Sequence, residues 1–490
     1  MAERAALADA WIPLLFPTVA QHRTKPVSLV LLVLALSLAV IGYFGVGAGR
    51  QFLTDRAFEP IRVPAPTAPA PGVAAMLAAA AVAPPAVAGS RANAPIPTPA
   101  GVAAALAAEL SHPELGPSVA GQVFDAGTRT LLFDQRSTAA VAPASTAKLL
   151  TAAALLSVRQ ATDRFSTRVV AGSEPGTVVL IGGGDPTLSA AAAGRPTRYP
   201  AAARLTDLAA RVRASLGTAR VERVLVDDSA FTGPATAPGW GTEDTPSNYA
   251  SLITATMVDG GRDVPEAEIR SAAPDLAAGN ALAAALGATA VDRGSAPAGA
   301  RVLGQVRSAP VDVLIEQMLR SSDNVIAEVL ARHVALATSR PASFAGAAEA
   351  VRATLAAAGI EIGDGMVDGS GLSLLNRVPL AAISSTLLAT VDAKQPRWRP
   401  LLSGLSIAGW DGTLLEEDRF SGAAAVAAGA VRAKTGTLTG VTGMAGLLTD
   451  ADGRLLVFSF VADQAPSAFE SSSRGAVDSL VAALVRCGCR

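Results

Sequence analysis

The chain has 490 residues, a length that suits about three domains. Hydrophobic residues make up 50% of it and charged residues 17%, and the formal net charge is −1. This balance excludes a strongly basic nucleic-acid-binding protein and a wholly disordered chain.

The N-terminal part predicts a membrane anchor followed by a spacer. Residues 27–47 carry no charged side chain, a stretch long enough for a helix to cross a bilayer. We predict a cytoplasmic N terminus over residues 1–26, a transmembrane helix over 27–48 and a Pro/Ala-rich linker over 49–104. A cleaved signal peptide is the alternative, and both interpretations put the remainder of the chain outside the cytoplasm.

Hydrophobic patterning beyond the linker predicts a mixture of strands and helices. In chain order we expect a strand pair within 119–137, a helix beginning near Ser145, mixed strands and helices over 166–304, helices at 311–319 and 325–335, hairpin strands within 430–463 and a closing helix over about 475–485. This order predicts an α/β sandwich.

Cysteine and histidine are scarce, which limits the possible metal and disulfide sites. Cys487 and Cys489 form a C-G-C sequence, too little for a disulfide framework or a cysteine-rich zinc site. The pair can exist as a local disulfide or as two thiols, and the spacing leaves both open. Only three histidines are present, so a histidine-based metal site is not expected, and we predict no cofactor.

Lysine is rare in this chain. Among the 40 basic residues, the lysines are Lys25, Lys148, Lys394 and Lys434. A buried lysine ammonium can lose its proton, whereas an arginine guanidinium stays charged. The few lysines are therefore candidates for positions at which arginine cannot serve.

The first candidate group is an S-x-x-K sequence at the predicted helix start. Ser145 and Lys148 are three residues apart, a spacing that puts both on one helix face. A serine nucleophile needs a base within hydrogen-bonding distance, and an unprotonated lysine can be that base. Taken alone, the pair also fits a helix-capping serine followed by an ordinary lysine.

Two further groups follow along the chain. Ser322 and Asn324 belong to S-D-N between two predicted helices, and residues two apart both point into a cleft only from a turn. The K-T-G-T group consists of Lys434, Thr435, Gly436 and Thr437. It ends a predicted strand, where a lysine can bind a carboxylate and a glycine lets a substrate backbone approach. Each group alone also fits a helix cap or a strand end.

In this order, S-x-x-K, S-D-N and K-T-G form the motif set of penicillin-binding proteins and class A β-lactamases. The sequence resembles the D-alanyl-D-alanine carboxypeptidases/endopeptidases of the peptidase S13 type, low-molecular-mass penicillin-binding proteins with a large insertion between the first two motifs. Here 177 positions separate Ser145 from Ser322. I-G-G-G-D-P at 181–186 and D-G-S-G-L-S at 368–373 agree with this resemblance, which covers residues 105 to 485.

The resemblance implies a penicillin-binding transpeptidase/β-lactamase-like fold, an antiparallel sheet flanked by helices. It implies a catalytic domain over 105–165 and 305–490 and an inserted mixed α/β domain over 166–304. The insertion is shorter than in the largest members, which puts its subdivision in doubt. Leu374 and Leu375 follow D-G-S-G-L-S, where members often have a basic residue.

The resemblance also implies a serine acyl-enzyme mechanism on peptidoglycan stem peptides. Ser145 would attack the D-Ala–D-Ala carbonyl with Lys148 as general base. Ser322 would relay a proton to the leaving amine, and Asn324 would orient Lys148 and bind substrate. β-Lactams would be covalent inhibitors, and nucleic acid is not an expected partner.

For the third motif, the resemblance implies substrate binding. Lys434 and Thr435 would hold the terminal carboxylate of the peptide, with Gly436 between them and Thr437. The backbone N–H groups of Ser145 and Thr437 would form the oxyanion hole.

Three other functions compete with this hypothesis. A class A β-lactamase would need a deacylating base in an E-x-x-L-N segment, which Glu328 and the other glutamates after the second motif do not match. A histidine-dependent serine hydrolase is disfavoured because no G-x-S-x-G occurs, and His333 is expected to be packed or on the surface. A catalytically silent wall-binding homologue would keep the fold and the cleft without the reaction.

Overall fold

The computed structural model describes residues 90–415, 419–466 and 471–490. The predicted anchor over 27–48 lies outside these residues, as does most of the predicted linker. Among the helices that are described, none is long and apolar enough to cross a membrane.

Helices and short strands alternate along the chain. The strands are β1 Val119–Asp125, β2 Leu131–Gln135, β3 Ala140–Val141, β4 Ser166–Ala171, β5 Thr177–Ile181, β6 Arg223–Asp227, β7 Ala290–Arg293, β8 Val302–Arg307, β9 Val378–Pro379, β10 Ser406–Ile407, β11 Val431–Leu438, β12 Val441–Thr449 and β13 Leu455–Ala462. The helices are α1 Pro99–Leu110, α2 Ala147–Val158, α3 Leu205–Leu216, α4 Pro274–Leu286, α5 Val311–Arg320, α6 Asn324–Ala337, α7 Phe344–Ala357, α8 Leu380–Val391, α9 Pro400–Gly404 and α10 Ser471–Arg486.

An antiparallel six-stranded sheet joins the two ends of the described chain. Its strand order is β10-β11-β12-β13-β1-β2, so that β1 pairs with β13 and Gln122 lies opposite Ser459. Side chains alternate between the two faces of a strand. Val457 and Val461 of β13 therefore point to one hydrophobic core, while Phe458 and Phe460 point to another.

Helices cover both faces of this sheet. Helices α2, α6, α7 and α8 pack together, and α8 lies on β1 and β13. On the other face α10 lies on β12 and contacts α1. The expected sandwich of helices around an antiparallel sheet is therefore confirmed, and the closing helix begins a few residues earlier than predicted.

A five-stranded sheet is formed between the first two motifs. Its order is β7-β6-β5-β4-β8, with β5, β6 and β7 parallel and both pairings of β4 antiparallel. Parallel neighbours need crossover connections, which α3 and α4 provide. All five strands lie between Ser166 and Arg307. The domain boundaries 105–165, 166–304 and 305–490 themselves stay a prediction.

Candidate active site

Ser145 lies in a tight turn that leads into α2. Residues Ala144–Thr146 form one 3₁₀ turn before the helix, and Ala144 has a left-handed backbone with φ of 46°. The 368–373 loop approaches this turn closely at Gly371, where a Cβ atom would lie 1.8 Å from the Ala144 carbonyl oxygen. Gly371 also has φ of 80°, so both space and backbone require glycine there. The turn holds the half-buried Ser145 side chain at the edge of a cavity.

Lys148 is fully buried directly beneath this serine. Its Nζ donates to Ser145 Oγ at 2.8 Å and to Asn324 Oδ1 at 2.6 Å. A third bond, of 2.8 Å, goes to the carbonyl oxygen of Ser370. These three acceptors fix the amine in one position.

Burial lowers the pKa of Lys148 to about 8, because the charged ammonium loses its hydration. The carboxylates of Asp368, Glu328 and Asp323 act in the opposite direction, since they favour the ammonium. A substantial neutral fraction therefore exists at mildly alkaline pH. This is the property that a lysine general base needs.

The S-D-N segment forms the turn that the residue spacing predicted. Ser322 has φ of 56°, and the Asp323 carboxylate caps the N terminus of α6 by accepting the Val325 and Ile326 N–H groups. Asn324 begins the helix, where its Oδ1 accepts from Lys148 and its Nδ2 donates to the Tyr249 carbonyl oxygen at 3.2 Å.

The K-T-G-T group lies in β11, directly against the Ser145 turn. A Cβ atom at Gly436 would lie 3.0 Å from the Pro143 carbonyl oxygen and 3.1 Å from Ala144 Cβ, so glycine permits this approach. Lys434 is fully buried, and its Nζ donates to the Thr435 carbonyl oxygen at 2.8 Å.

These groups meet at one cavity of about 760 Å³. The predicted residues on its wall are Ser145, Ser322, Asn324, Thr435 and Thr437. Lys148, Lys434 and Gly436 are buried beside them. The structure thus brings together all eight residues that the motifs singled out.

The three motifs did not predict that the segment between β6 and α4, residues 228–273, forms a wall of the cavity. This segment contains no described strand or helix. It contributes Tyr249 and Arg270 to the lining. The Arg270 Nη2 lies 3.1 Å from Asp323 Oδ2, and its Nη1 donates to the Tyr249 carbonyl oxygen at 2.7 Å. No spacing in the sequence connects Arg270 to S-D-N, so only the fold reveals this contact.

The D-G-S-G-L-S loop forms another side of the site, with Leu372 on the cavity wall. Asp368 organises the loop by accepting the N–H groups of Gly371 and Ser373 at 2.8 and 2.7 Å. It also accepts from Trp240 Nε1 at 2.9 Å. The segment that carried part of the family resemblance is therefore a structural support of the site.

His333 is packed in the interior, which is one of the two locations that the sequence left open. It is 3% exposed and stacks on Phe165 with ring centroids 3.4 Å apart. Burial lowers its pKa to about 4, so the ring is neutral. His333 does not line the Ser145 cavity, which argues against histidine-dependent chemistry there.

The described residues contain no group of three or more His, Cys, Asp or Glu side chains that could hold a metal ion. Cys487 and Cys489 lie with their Cα atoms 4.9 Å apart, at the end of the chain.

Comparison with known proteins gives consistent matches over most of the chain. The sequence profile of the D-Ala-D-Ala carboxypeptidase 3 (S13) family matches residues 102–269 and 264–484. A carboxypeptidase of Mycobacterium tuberculosis is 46% identical over 402 residues, which cover 80% of this chain and 85% of that protein. The carboxypeptidase DacB of Mycolicibacterium smegmatis is 41% identical over 475 residues, covering 96% and 98% of the two chains.

Among solved structures, penicillin-binding protein 4 of Haemophilus influenzae has a similar fold. The TM-score is 0.64 at 21% identity, and the match covers 80% of this chain and 100% of that one. The penicillin-binding fold expected from the sequence is therefore confirmed.

Proposed function

Because the chain belongs to the D-Ala-D-Ala carboxypeptidase 3 (S13) family, we propose that it is a serine carboxypeptidase/endopeptidase that cuts D-alanyl-D-alanine bonds in peptidoglycan stem peptides. The observation that carries this proposal is the 2.8 Å bond between Lys148 Nζ and Ser145 Oγ. It joins a hydroxyl on the cavity wall to a buried amine whose pKa is lowered to about 8. A nucleophile and its base are thus in contact before substrate binds.

In the proposed acylation step, Lys148 takes the hydroxyl proton while Ser145 Oγ bonds to the carbonyl carbon of the penultimate D-Ala. The backbone N–H groups of Ser145 and Thr437 hold the oxyanion, each contributing about 3–4 kcal/mol by analogy with other hydrolases. The C–N bond then breaks, and Ser322 relays a proton to the leaving amine of the terminal D-Ala. Water attacks the resulting ester and restores the Ser145 hydroxyl.

The remaining motif residues position the substrate. Asn324 orients Lys148 through its Oδ1, and its amide can also bind the peptide. Lys434 and Thr435 hold the terminal carboxylate, since a buried ammonium beside a hydroxyl favours an anion. The Thr435 hydroxyl donates to Thr413 Oγ1 at 2.8 Å, which orients it.

β-Lactams are proposed as covalent inhibitors of the same serine. The related Haemophilus influenzae protein has been solved as a complex with a β-lactam, at a TM-score of 0.57 to this chain. We also propose that residues 27–48 anchor the chain in the membrane and that the cavity faces the cell wall, because the substrate lies outside the cytoplasm.

Mass spectrometry after incubation with benzylpenicillin tests the proposal. We expect an adduct on the Ser145 peptide of the wild type and none on Ser145→Ala, and a membrane-impermeant labelled penicillin should react with the protein on intact cells. A folded wild type without an adduct would support a silent wall-binding homologue instead. Rapid release of the opened drug would favour a β-lactamase.

A further inference from the structure

Glu328 is a fully buried carboxylate one helical turn beyond Asn324 on α6. Its Oε2 accepts the Gly369 N–H at 3.0 Å, and its Oε1 accepts the Ser370 N–H at 2.7 Å. Both oxygens are therefore bonded to consecutive backbone N–H groups of the D-G-S-G-L-S loop. A deacylating base would need a free oxygen directed at water, so this geometry does not suit one.

The carbonyl groups of the same two loop residues face α2. The Ser370 oxygen accepts from Lys148 Nζ at 2.8 Å, and the Gly369 oxygen accepts from Thr151 Oγ1 at 2.7 Å. Lys148 and Thr151 are three residues apart and share one helix face. The loop backbone is thus clamped between a carboxylate on α6 and two donors on α2.

We propose that Glu328 is a positioning residue for Lys148. Its carboxylate fixes the Gly369–Ser370 backbone so that the Ser370 carbonyl directs Lys148 Nζ towards Ser145 Oγ, and its negative charge acts on the same ammonium. The proposal rests on the proposed function, because it assumes that Lys148 is the base that activates Ser145.

The charges around this carboxylate determine the sign of its effect. Burial, and then the nearby Asp368 carboxylate, raise the pKa of Glu328 to about 7. Arg332 on the next turn of α6 and the two loop N–H groups favour the ionised form. Above neutral pH the carboxylate therefore holds the proton on Lys148. Removing its charge should lower the pKa of Lys148 and move the acid limb of acylation to lower pH.

The two hydrogen bonds also indicate what each conservative substitution of this glutamate would change. Glutamine has one acceptor oxygen, and its NH₂ group would face a second N–H donor. Aspartate keeps the charge but is one methylene shorter. The two substitutions therefore separate the charge from the reach of the side chain.

The experiment measures the second-order rate constant of β-lactam acylation from pH 5 to 10 for wild type, Glu328→Gln, Glu328→Asp and Thr151→Val. Thr151→Val is the matched control, because it removes a bond to the same loop without changing a charge. For Glu328→Gln we expect a loss of about 10- to 100-fold at alkaline pH, since small misplacements of a catalytic group have such effects. We also expect the midpoint of its acid limb, in the plot of the acylation rate constant against pH, to fall by about one pH unit. Glu328→Asp should be slower with a midpoint closer to that of the wild type, and Thr151→Val should keep the wild-type midpoint.

A purely structural role predicts that Glu328→Gln behaves like Thr151→Val, slower but with an unchanged midpoint, and that result would overturn the proposal. If Glu328→Gln does not fold, Glu328→Asp decides: a slower reaction whose midpoint lies below that of the wild type supports positioning, and a wild-type midpoint contradicts it. A wild type that is never acylated would instead refute the proposed function.

Discussion

The two sheets of the molecule differ in where their charged side chains lie. In the six-stranded sheet a lysine, Lys434, occupies a fully buried position in β11. In the five-stranded sheet the charged strand residues, such as Arg168 and Arg223, are mostly exposed, with buried Asp227 at the end of β6 as the exception. Burying a charge costs free energy unless it is paired or hydrogen-bonded. Lys434 meets this condition through its bond to the Thr435 carbonyl oxygen. The first region, built around the six-stranded sheet, thus holds a hydrogen-bonded lysine beside the candidate chemistry, whereas the five-stranded sheet, the scaffold, keeps most of its charged side chains in water.

The segment 228–273 connects the two regions. It leaves the five-stranded sheet after β6 and brings Tyr249 and Arg270 to the cavity. The scaffold therefore contributes to the site through a loop, while the base and the nucleophile lie on α2 and in the turn that precedes it. Substitutions in the first region should therefore change activity more than stability, and substitutions in the core of the five-stranded sheet should change stability more than activity.

The largest expected effect is on activity, from Lys148→Met in the first region. The acylation rate constant should fall by about 10²–10⁴-fold, because the general base is lost. The free energy of unfolding should change by no more than about 2 kcal/mol, since an apolar side chain of similar volume removes a desolvated amine and leaves acceptors unpaired. Stopped-flow acylation and urea unfolding measure the two quantities.

A large loss of stability in Lys148→Met would show that the amine has a mainly structural role. Lys394→Met is the matched control, because Lys394 is exposed and lies away from the cavity. It should change neither quantity measurably.

The motifs predicted the site because its chemistry depends on short sequence spacings. Ser145 and Lys148 lie within one helical turn, and S-D-N within one tight turn, so local geometry largely fixes each group. The scarcity of lysine further directed attention to Lys148 and Lys434. The α/β sandwich followed from hydrophobic periodicity and the order of elements.

The supporting contacts could not be predicted, since they join residues that are distant in sequence. Glu328 bonds to a loop about forty positions later, and Arg270 lies 53 positions before Asp323. Such contacts depend on how elements pack and leave no periodic signal. Glu328 was considered only as a deacylating base, because its sequence context does not reveal that both oxygens bind backbone.

A smaller loss of activity is expected from a substitution at the contact between the segment 228–273 and the first region. Arg270→Ala removes the guanidinium that lies 3.1 Å from the Asp323 carboxylate, whose side chain is 8% exposed. Burial alone would raise the pKa of Asp323, but the positive charge of Arg270 is the chief cause that lowers it. Breaking a buried ion pair by removing one partner costs about 3–5 kcal/mol, and we expect slower acylation because S-D-N loses support.

Chemical denaturation of Arg270→Ala measures this cost, with Arg352→Ala as the control. Arg352 pairs with Asp364, which is 94% exposed, and such pairs contribute at most about 1 kcal/mol. Similar unfolding free energies for the two variants would mean that the buried pair does not stabilise the junction.

The smallest effect on chemistry should come from the core of the five-stranded sheet. Leu180 is fully buried in β5, between Val169 of β4 and Val226 of β6. Leu180→Ala should lower the free energy of unfolding by about 2–5 kcal/mol, because it removes buried methyl groups and leaves a cavity. The acylation rate constant of the folded protein should stay at the wild-type value, since no side chain of β5 lines the Ser145 cavity.

Val302→Ala in β8 of the same sheet is the control for this substitution. Val302 is 48% exposed, so its unfolding free energy should change by about 0.5 kcal/mol or less. If Leu180→Ala slows acylation at a temperature at which circular dichroism shows it fully folded, the five-stranded sheet must set the position of Tyr249 and Arg270 as well as carry them. The division between a chemical region and a scaffold would then be wrong, because the packing of β5 would govern the site through the segment 228–273.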